Sequence, residues 1–216
     1  MKFADTLKTL PEFAGEKLVL TDASGAEVAT IANAPGTAVF TFAEGKAQLA
    51  KKDIPAARQS LEKALSVSPT FFPAAANLAR LDMVDKKPEE ARKRFEAILA
   101  ADAKNTRALL ALAELKMATG GTADEVSALI GKAITAAPSE SAPRLALTQF
   151  YLKNKDNKKA LATATDAASA QPDKPEIIEA LGKVQRISGD LNQAAATFGK
   201  LASLQPGSPL PMMLLA

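Results

Sequence analysis

The chain has 216 residues, of which 47% are hydrophobic and 24% are charged, so it can bury a core and disorder is not expected over most of its length. It contains no cysteine and no histidine, which excludes disulfides, thiolate nucleophiles, imidazole bases and the commonest zinc ligands. The formal net charge is only +3, from 27 basic and 24 acidic side chains, so nucleic acid is not an expected partner. No apolar run is long enough to cross a membrane, and we expect neither a cofactor nor a metal site.

Residues 1–36 allow two interpretations. Two runs of strand-forming residues, 17–20 and 27–31, flank a turn sequence, which predicts a β-hairpin. The alternative is a degenerate helical repeat, because Pro35 lies 34 residues before Pro69. The sequence leaves both interpretations open, since an isolated hairpin is only marginally stable in water.

From about residue 37 the chain follows a period of 34 or 35 residues. Such a period predicts an all-α solenoid, in which each helix-turn-helix repeat buries its apolar face against its neighbours. We predict about five repeats over 37–206, at about 37–70, 71–104, 105–139, 140–173 and 174–207, with 207–216 as the first half of a truncated further repeat. The positions that close successive repeats are Pro69, Ala103, Pro138, Pro172 and Pro206.

The repeats share an internal pattern. In the last four repeats the first helix carries a leucine followed by a small residue, as in Leu181-Gly182, and in all five the second helix carries three packing residues spaced by four and then three. In the last repeat these three are Ala194, Phe198 and Leu201. The equivalent trios upstream are Ala57/Leu61/Ala64, Ala91/Phe95/Ile98, Val126/Ile130/Ala133 and Ala160/Ala164/Ala167.

Turn residues separate the two helices of each repeat. The spacing of Thr122 with Glu125, and of Asp190 with Gln193, predicts capping boxes at the start of two second helices. Gly120-Gly121 is predicted to accommodate the extra residue of the one 35-residue repeat.

This pattern over residues 37–206 resembles the tetratricopeptide repeat, whose first helix has Leu-Gly or Leu-Ala and whose second has Ala, an aromatic or Leu, then Ala and a closing Pro. The resemblance implies a right-handed superhelical solenoid that binds partners on a concave surface. The sequence departs from the family pattern at Glu44, Ala103, Val126 and Ala164.

Three runs, 71–82, 108–115 and 189–193, look like the C-terminal repeats of the PEP-CTERM system-associated tetratricopeptide lipoproteins. That closer resemblance implies a periplasmic or envelope-associated scaffold that serves exopolysaccharide and exosortase machinery. It also implies that this chain is an internal piece of a longer lipoprotein. A cytoplasmic location stays open.

The tetratricopeptide resemblance implies a groove at positions two, five, nine and twelve of the first helices. A groove rich in Leu and Met, with charged ends, suits a partner helix or an extended peptide. The apolar members could instead pack neighbouring helices, and the charged members could form a solvated face. The candidate groove residues are Phe42, Lys46, Arg80, Met83, Arg107, Leu110, Glu114, Met117, Leu145, Gln149, Leu152, Glu179, Lys183 and Arg186.

The sequence lacks the motifs of phosphate-binding loops, nucleophile elbows and calcium loops. We therefore predict a non-catalytic scaffold for protein or peptide partners. One alternative is a structural spacer within a longer solenoid. Another is a module that binds acidic polysaccharide along lysine-rich turns, and the apolar residues 211–216 predict self-association. The turn lysines are Lys51, Lys52, Lys86, Lys87, Lys153, Lys155, Lys158 and Lys159.

Overall fold

A computed structural model describes residues 17–21, 27–32, 36–208 and 213. The truncated further repeat predicted at 207–216 lies, beyond its first residues, almost wholly outside this range. Near the start of the chain, β1 (Lys17–Thr21) and β2 (Glu27–Ala32) pair in antiparallel fashion, with Lys17 opposite Ala32 and an irregularity between Leu20 and Thr21.

Ten helices follow the hairpin in the described residues, which confirms the predicted all-α repeat fold for this part of the chain. The chain divides into two compact units between Ala103 and Lys104. Unit 1 contains the hairpin and the first four helices, and unit 2 contains the other six. The helices are α1 (Gly36–Ala50), α2 (Ile54–Val67), α3 (Phe72–Val84), α4 (Pro88–Ala101), α5 (Thr106–Ala118), α6 (Ala123–Ala136), α7 (Ser141–Lys153), α8 (Asn157–Ala170), α9 (Pro175–Ile187) and α10 (Leu191–Leu204).

Within each unit the helices pack as hairpins. Each odd-numbered helix contacts the even-numbered helix that follows it, and each hairpin stacks on the next one in the same unit. In unit 2, α7 also contacts both α5 and α9, so the first helices of three repeats lie side by side. This arrangement creates a common face of first helices in unit 2.

The turn inside every repeat contains one residue in the left-handed conformation. This residue is Lys52, Lys86 or Lys155 in three repeats, with φ of 61°, 59° and 59°, and Gly120 or Gly189 in the others, with φ of 82° and 87°. The next residue donates its backbone N–H to a carbonyl five residues earlier, at 2.7 to 2.9 Å, which caps the first helix. Lysine has no intrinsic advantage there, because a side chain is disfavoured in this conformation.

Gly121 is the extra residue of the 35-residue repeat, because four residues separate α5 from α6 and three separate the helices of the other repeats. It lies directly after the left-handed Gly120. A Cβ at position 121 would lie 2.9 Å from the carbonyl oxygen of Lys116, so a side chain is excluded by close approach to the backbone. The role predicted for the two glycines is confirmed.

One of the two predicted capping boxes is present. The Thr122 side chain accepts a hydrogen bond from the Glu125 N–H at 3.2 Å, and the Glu125 carboxylate accepts one from the Thr122 N–H at 2.9 Å. The box predicted at Asp190 is wrong, since that side chain makes no capping hydrogen bond. The reciprocal bond is also absent, because the Asp190 N–H donates to the Gln185 carbonyl at 2.9 Å and Gln193 Oε1 accepts from Gln185 Nε2 at 3.4 Å.

The residues where the two helices of a repeat cross are matched in size. In the last repeat Gly182 lies against the Phe198 ring, which is 1% exposed, so close that a Cβ on Gly182 would be 2.3 Å from a ring carbon. In the preceding repeat the equivalent positions hold the buried pair Thr148 and Ala164, a larger residue with a smaller one. The departure from the family pattern at Ala164 is therefore accompanied by a larger residue on the first helix.

In unit 1 an ion network joins the second helix of one repeat to both helices of the next. Asp82 on α3 is 2% exposed and accepts hydrogen bonds from Arg58 on α2 at 2.6 Å and from Arg94 on α4 at 2.5 Å. Arg58 also contacts Asp85 at 2.7 Å. Burial favours the neutral carboxyl, but the hydrogen bonds and charges of the two arginines outweigh it and lower the pKa of Asp82.

Candidate interaction site

The candidate groove residues of unit 1 differ in exposure. Lys46 and Arg80 are exposed and Met83 is half-buried. Phe42 is 5% exposed and packs edge-on against Phe71, with ring centroids 5.3 Å apart. The placement of Phe42 in a binding groove is therefore corrected, because its ring fills the core of unit 1.

The ten candidates of unit 2 lie on its three first helices, and several have partners within the fold. Leu152 is half-buried and packs against the core cluster of Ala160, Ala164 and Val184. Glu179 and Lys183 form an ion pair one helical turn apart on α9. Leu145 is half-buried, and Arg107 and Arg186 are exposed.

A pocket of about 260 Å³ lies between α5, α6 and α7, entirely within unit 2. It brings together four candidate groove residues, two on the apolar wall and two on the polar rim. The sequence-based prediction missed the other six residues of the lining. The pocket is lined by Leu110, Ala113, Glu114, Met117, Val126, Ile130, Ala146, Gln149, Phe150 and Lys153.

Two small residues give the pocket its depth. Ala113 on α5 and Ala146 on α7 both line it, and neither side chain reaches far enough to cover the floor. Val126 and Ile130 on α6, together with Phe150, therefore form the bottom of the pocket while also belonging to the core. The floor is thus rigid, because its residues are fixed by packing on their other sides.

The rim of the pocket is polar and carries both charges. Glu114, Gln149 and Lys153 are exposed, and neither Glu114 nor Lys153 has an ion-pair partner in the part of the chain that the structure describes. By contrast, Lys116 donates a hydrogen bond to Glu125 at 2.8 Å, and this bond, with that from the Thr122 backbone, lowers the pKa of Glu125. The charge of Lys116 is therefore paired with that of Glu125, and the charge of Lys153 is available to a partner.

Sequence reasoning had only part of the signal for this pocket. The second-helix residues Val126 and Ile130 were predicted to pack between repeats, and Lys153 was predicted as a turn lysine. What the sequence did not show is that Ala113 and Ala146, on adjacent first helices, leave part of α6 uncovered. Those alanines are visible in the sequence, but only the stacking of α5 on α7 shows that they line the same space.

Neither a metal site nor a membrane span is visible in the described ranges. Residues 17–21, 27–32, 36–208 and 213 contain no group of three or more acidic side chains close enough to hold a metal ion. None of the helices in these ranges is both long and apolar enough to cross a membrane.

The stacked helical hairpins and their first-helix face define a helical repeat protein of the kind that serves as an interaction scaffold. In a comparison with protein families, residues 48–115 match the tetratricopeptide repeat. The match covers about a third of the chain and falls on part of the helical region. A comparison with curated proteins finds no match.

Solved structures of other repeat proteins share the fold. The chain is similar to PilF of Pseudomonas aeruginosa, with a TM-score of 0.56, 18% identity, and coverage of 82% of this chain and 81% of that one. It is also similar to TTC0263, a thermophilic tetratricopeptide repeat protein of Thermus thermophilus, with a TM-score of 0.53, 20% identity, and coverage of 82% and 95%. MamA of Desulfovibrio magneticus RS-1 gives a TM-score of 0.54, 14% identity, and coverage of 80% and 97%.

Proposed function

We propose that this chain is a non-catalytic scaffold that binds a peptide segment of a partner protein on the first-helix face of unit 2. The observation that carries the proposal is the pocket between α5, α6 and α7, which combines an apolar floor with three exposed polar side chains. Apolar surface supplies binding free energy, and the polar rim supplies orientation.

The two residues of the apolar wall, Leu110 and Met117, support this proposal. Met117 is half-buried against the core cluster and has a flexible thioether that adapts to different side chains. Leu110, two helical turns earlier on α5, contributes a second half-buried apolar side chain. A partner residue that enters the pocket therefore buries apolar area on several sides without displacing the core.

The experiment is a selection of random 12-residue peptides displayed on phage against the purified chain. Binding peptides are expected, and Leu110→Glu is expected to abolish their binding, because it places a charge on the apolar wall. Leu191→Glu is the control for adding the same charge elsewhere in the unit, since Leu191 is 63% exposed and outside the pocket. Circular dichroism confirms that both variants keep their helices.

A selection that yields no peptide, or only peptides that bind wild type and Leu110→Glu equally, would contradict the proposed function. It would then leave the structural spacer as the better description of these repeats.

We further propose, on the resemblance of 71–82, 108–115 and 189–193 alone, that the scaffold works at the bacterial envelope with exopolysaccharide or exosortase machinery. The test is the location of the native protein after separation of periplasm, membranes and cytoplasm. Recovery of the whole protein in the cytoplasmic fraction would contradict this part of the proposal and leave the peptide-binding role intact.

A further inference from the structure

The size of the pocket in unit 2 limits what can occupy it. Sites for free small molecules usually have volumes of about 300 to 1,000 Å³, and a cavity of about 150 Å³ can hold a benzene ring. At about 260 Å³, this pocket holds one large apolar side chain together with part of its backbone. This volume suits a side chain of a larger partner better than a whole small molecule.

The wall and floor of the pocket favour an apolar side chain as the occupant. Met117, Val126, Ile130 and Phe150 surround the interior, and Phe150 is 6% exposed. A polar or charged side chain would lose its hydration there without gaining a partner, which is costly. A leucine, methionine or aromatic side chain is the occupant that this wall fits.

The rim is asymmetric in charge. Glu114 on α5 and Gln149 on α7 occupy the same position in consecutive repeats, and Lys153 lies one helical turn beyond Gln149. Lys155, in the following turn, adds a second positive charge at this end and has no ion pair among the residues that the structure describes. An acidic residue is thus repelled at Glu114 and attracted at Lys153.

We propose that the pocket binds a peptide that buries one large apolar side chain between Met117 and Phe150 and places an acidic residue beside Lys153. The amide of Gln149 can both donate and accept a hydrogen bond, so it can pair with the peptide backbone between these two residues. This inference rests on the proposed function and specifies the class of partner, an apolar residue with an acidic neighbour.

The test repeats the phage selection against wild type, Lys153→Glu and Lys132→Glu. Lys132 is an exposed lysine of α6 outside the pocket, which makes it the matched control. Wild type and Lys132→Glu should enrich peptides with a large apolar residue and an Asp or Glu within three positions of it. Lys153→Glu should bind these peptides about three- to tenfold more weakly, a weakening that salt reduces, because attraction becomes repulsion at an exposed site.

A second variant tests the large apolar residue of the peptide, here called the anchor, without a change of charge. Ala146→Leu extends a side chain into the pocket from α7 and should remove the preference for a large apolar residue in the peptide. The acidic preference should remain, because Lys153 is unchanged.

The possible failures are distinguishable. Peptides that depend on Leu110 but show no acidic preference, or that bind Lys153→Glu unchanged, would overturn this inference and leave the proposed function standing. If peptides selected against Ala146→Leu keep the preference for a large apolar residue, the assignment of the anchor to this pocket is overturned. A failure to select any Leu110-dependent peptide would overturn the proposed function itself.

Discussion

Gly182→Ala gives a sharp test of how the helices of a repeat pack. An alanine Cβ at this position in α9 would lie 2.3, 2.7 and 2.9 Å from three carbons of the Phe198 ring. The ring is 1% exposed and has no room to move outwards. In a helix interior the change from glycine would normally stabilise by about 0.5 to 1 kcal/mol.

The expected net effect is destabilising. Overpacking of a well-packed core costs about 1 to 3 kcal/mol, which exceeds the gain in helix propensity. Because all three contacts are shorter than 3 Å, the overpacking cost should fall in the upper half of that range, about 2 to 3 kcal/mol. After the gain of about 0.5 to 1 kcal/mol is subtracted, we expect Gly182→Ala to lower the free energy of unfolding by about 1 to 2.5 kcal/mol. Gly131→Ala in α6 and Gly199→Ala in α10 are matched controls, because a Cβ at either glycine meets nothing within 4 Å.

The assay is urea unfolding followed by circular dichroism and by the fluorescence of Tyr151, which is the one tyrosine of a chain without tryptophan. Tyr151 lies in unit 2, as do all three glycines, so the fluorescence reports the unit that is changed. The two control variants should unfold at higher urea concentration and Gly182→Ala at lower.

A double-mutant cycle then isolates the contact. Phe198→Leu removes part of the ring, so Gly182→Ala should be less costly in that background than in the wild type. If Gly182→Ala stabilises the chain as much as Gly131→Ala does, or if the cost is unchanged by Phe198→Leu, the close approach of the two helices is not what selects glycine.

Three other changes test the packing and the turns. Phe198→Ala should lower the free energy of unfolding by about 3 to 5 kcal/mol, measured by urea unfolding, because it empties a buried site; a loss below about 1 kcal/mol would contradict this. Lys86→Gly should raise it by about 0.5 to 1 kcal/mol and Gly120→Ala should lower it, because both residues are left-handed. Asp82→Asn should cost about 1.5 to 3 kcal/mol at pH 7, because Arg58 and Arg94 lose hydrogen bonds to a buried carboxylate but keep their contacts with Asp85 and Glu62. The native pKa of Asp82 is lowered, so its contribution is present above the unfolded pKa of about 3.9 and is lost as pH falls through the native value. Unfolding curves of wild type and Asp82→Asn should therefore converge in acid, and a constant difference down to pH 2 would count against the ion network.

Patterns in the sequence predicted most of the fold. Three patterns predicted it: the 34-residue period, the second-helix trios such as Ala194, Phe198 and Leu201, and the capping box at Thr122. The trios and the box depend on residues close in the chain, where helical spacing decides which side chains share a face. The same kind of reasoning failed at Asp190, where the backbone N–H of Asp190 and the side chain of Gln193 both pair with Gln185 on the preceding helix.

The candidate site was predictable only in part. Leu110, Glu114, Met117 and Gln149 follow from the positions of a first helix, and all four line the pocket. Phe42 occupies the same kind of position but lies in the core, because Phe71 packs edge-on against its ring. A position within a repeat does not decide exposure, since that depends on the size of the residues that meet it.

The sequence by itself determined the repeat, the helices and the classes of chemistry that are absent, since these follow from composition and from spacing along one chain. The tertiary structure decided which packing residues stay buried and which face a pocket. Ala113 and Ala146 lie 33 residues apart, and the space they leave empty exists only once α5 and α7 are stacked. Volume between helices is a property of neighbours in space, so no single helix encodes it.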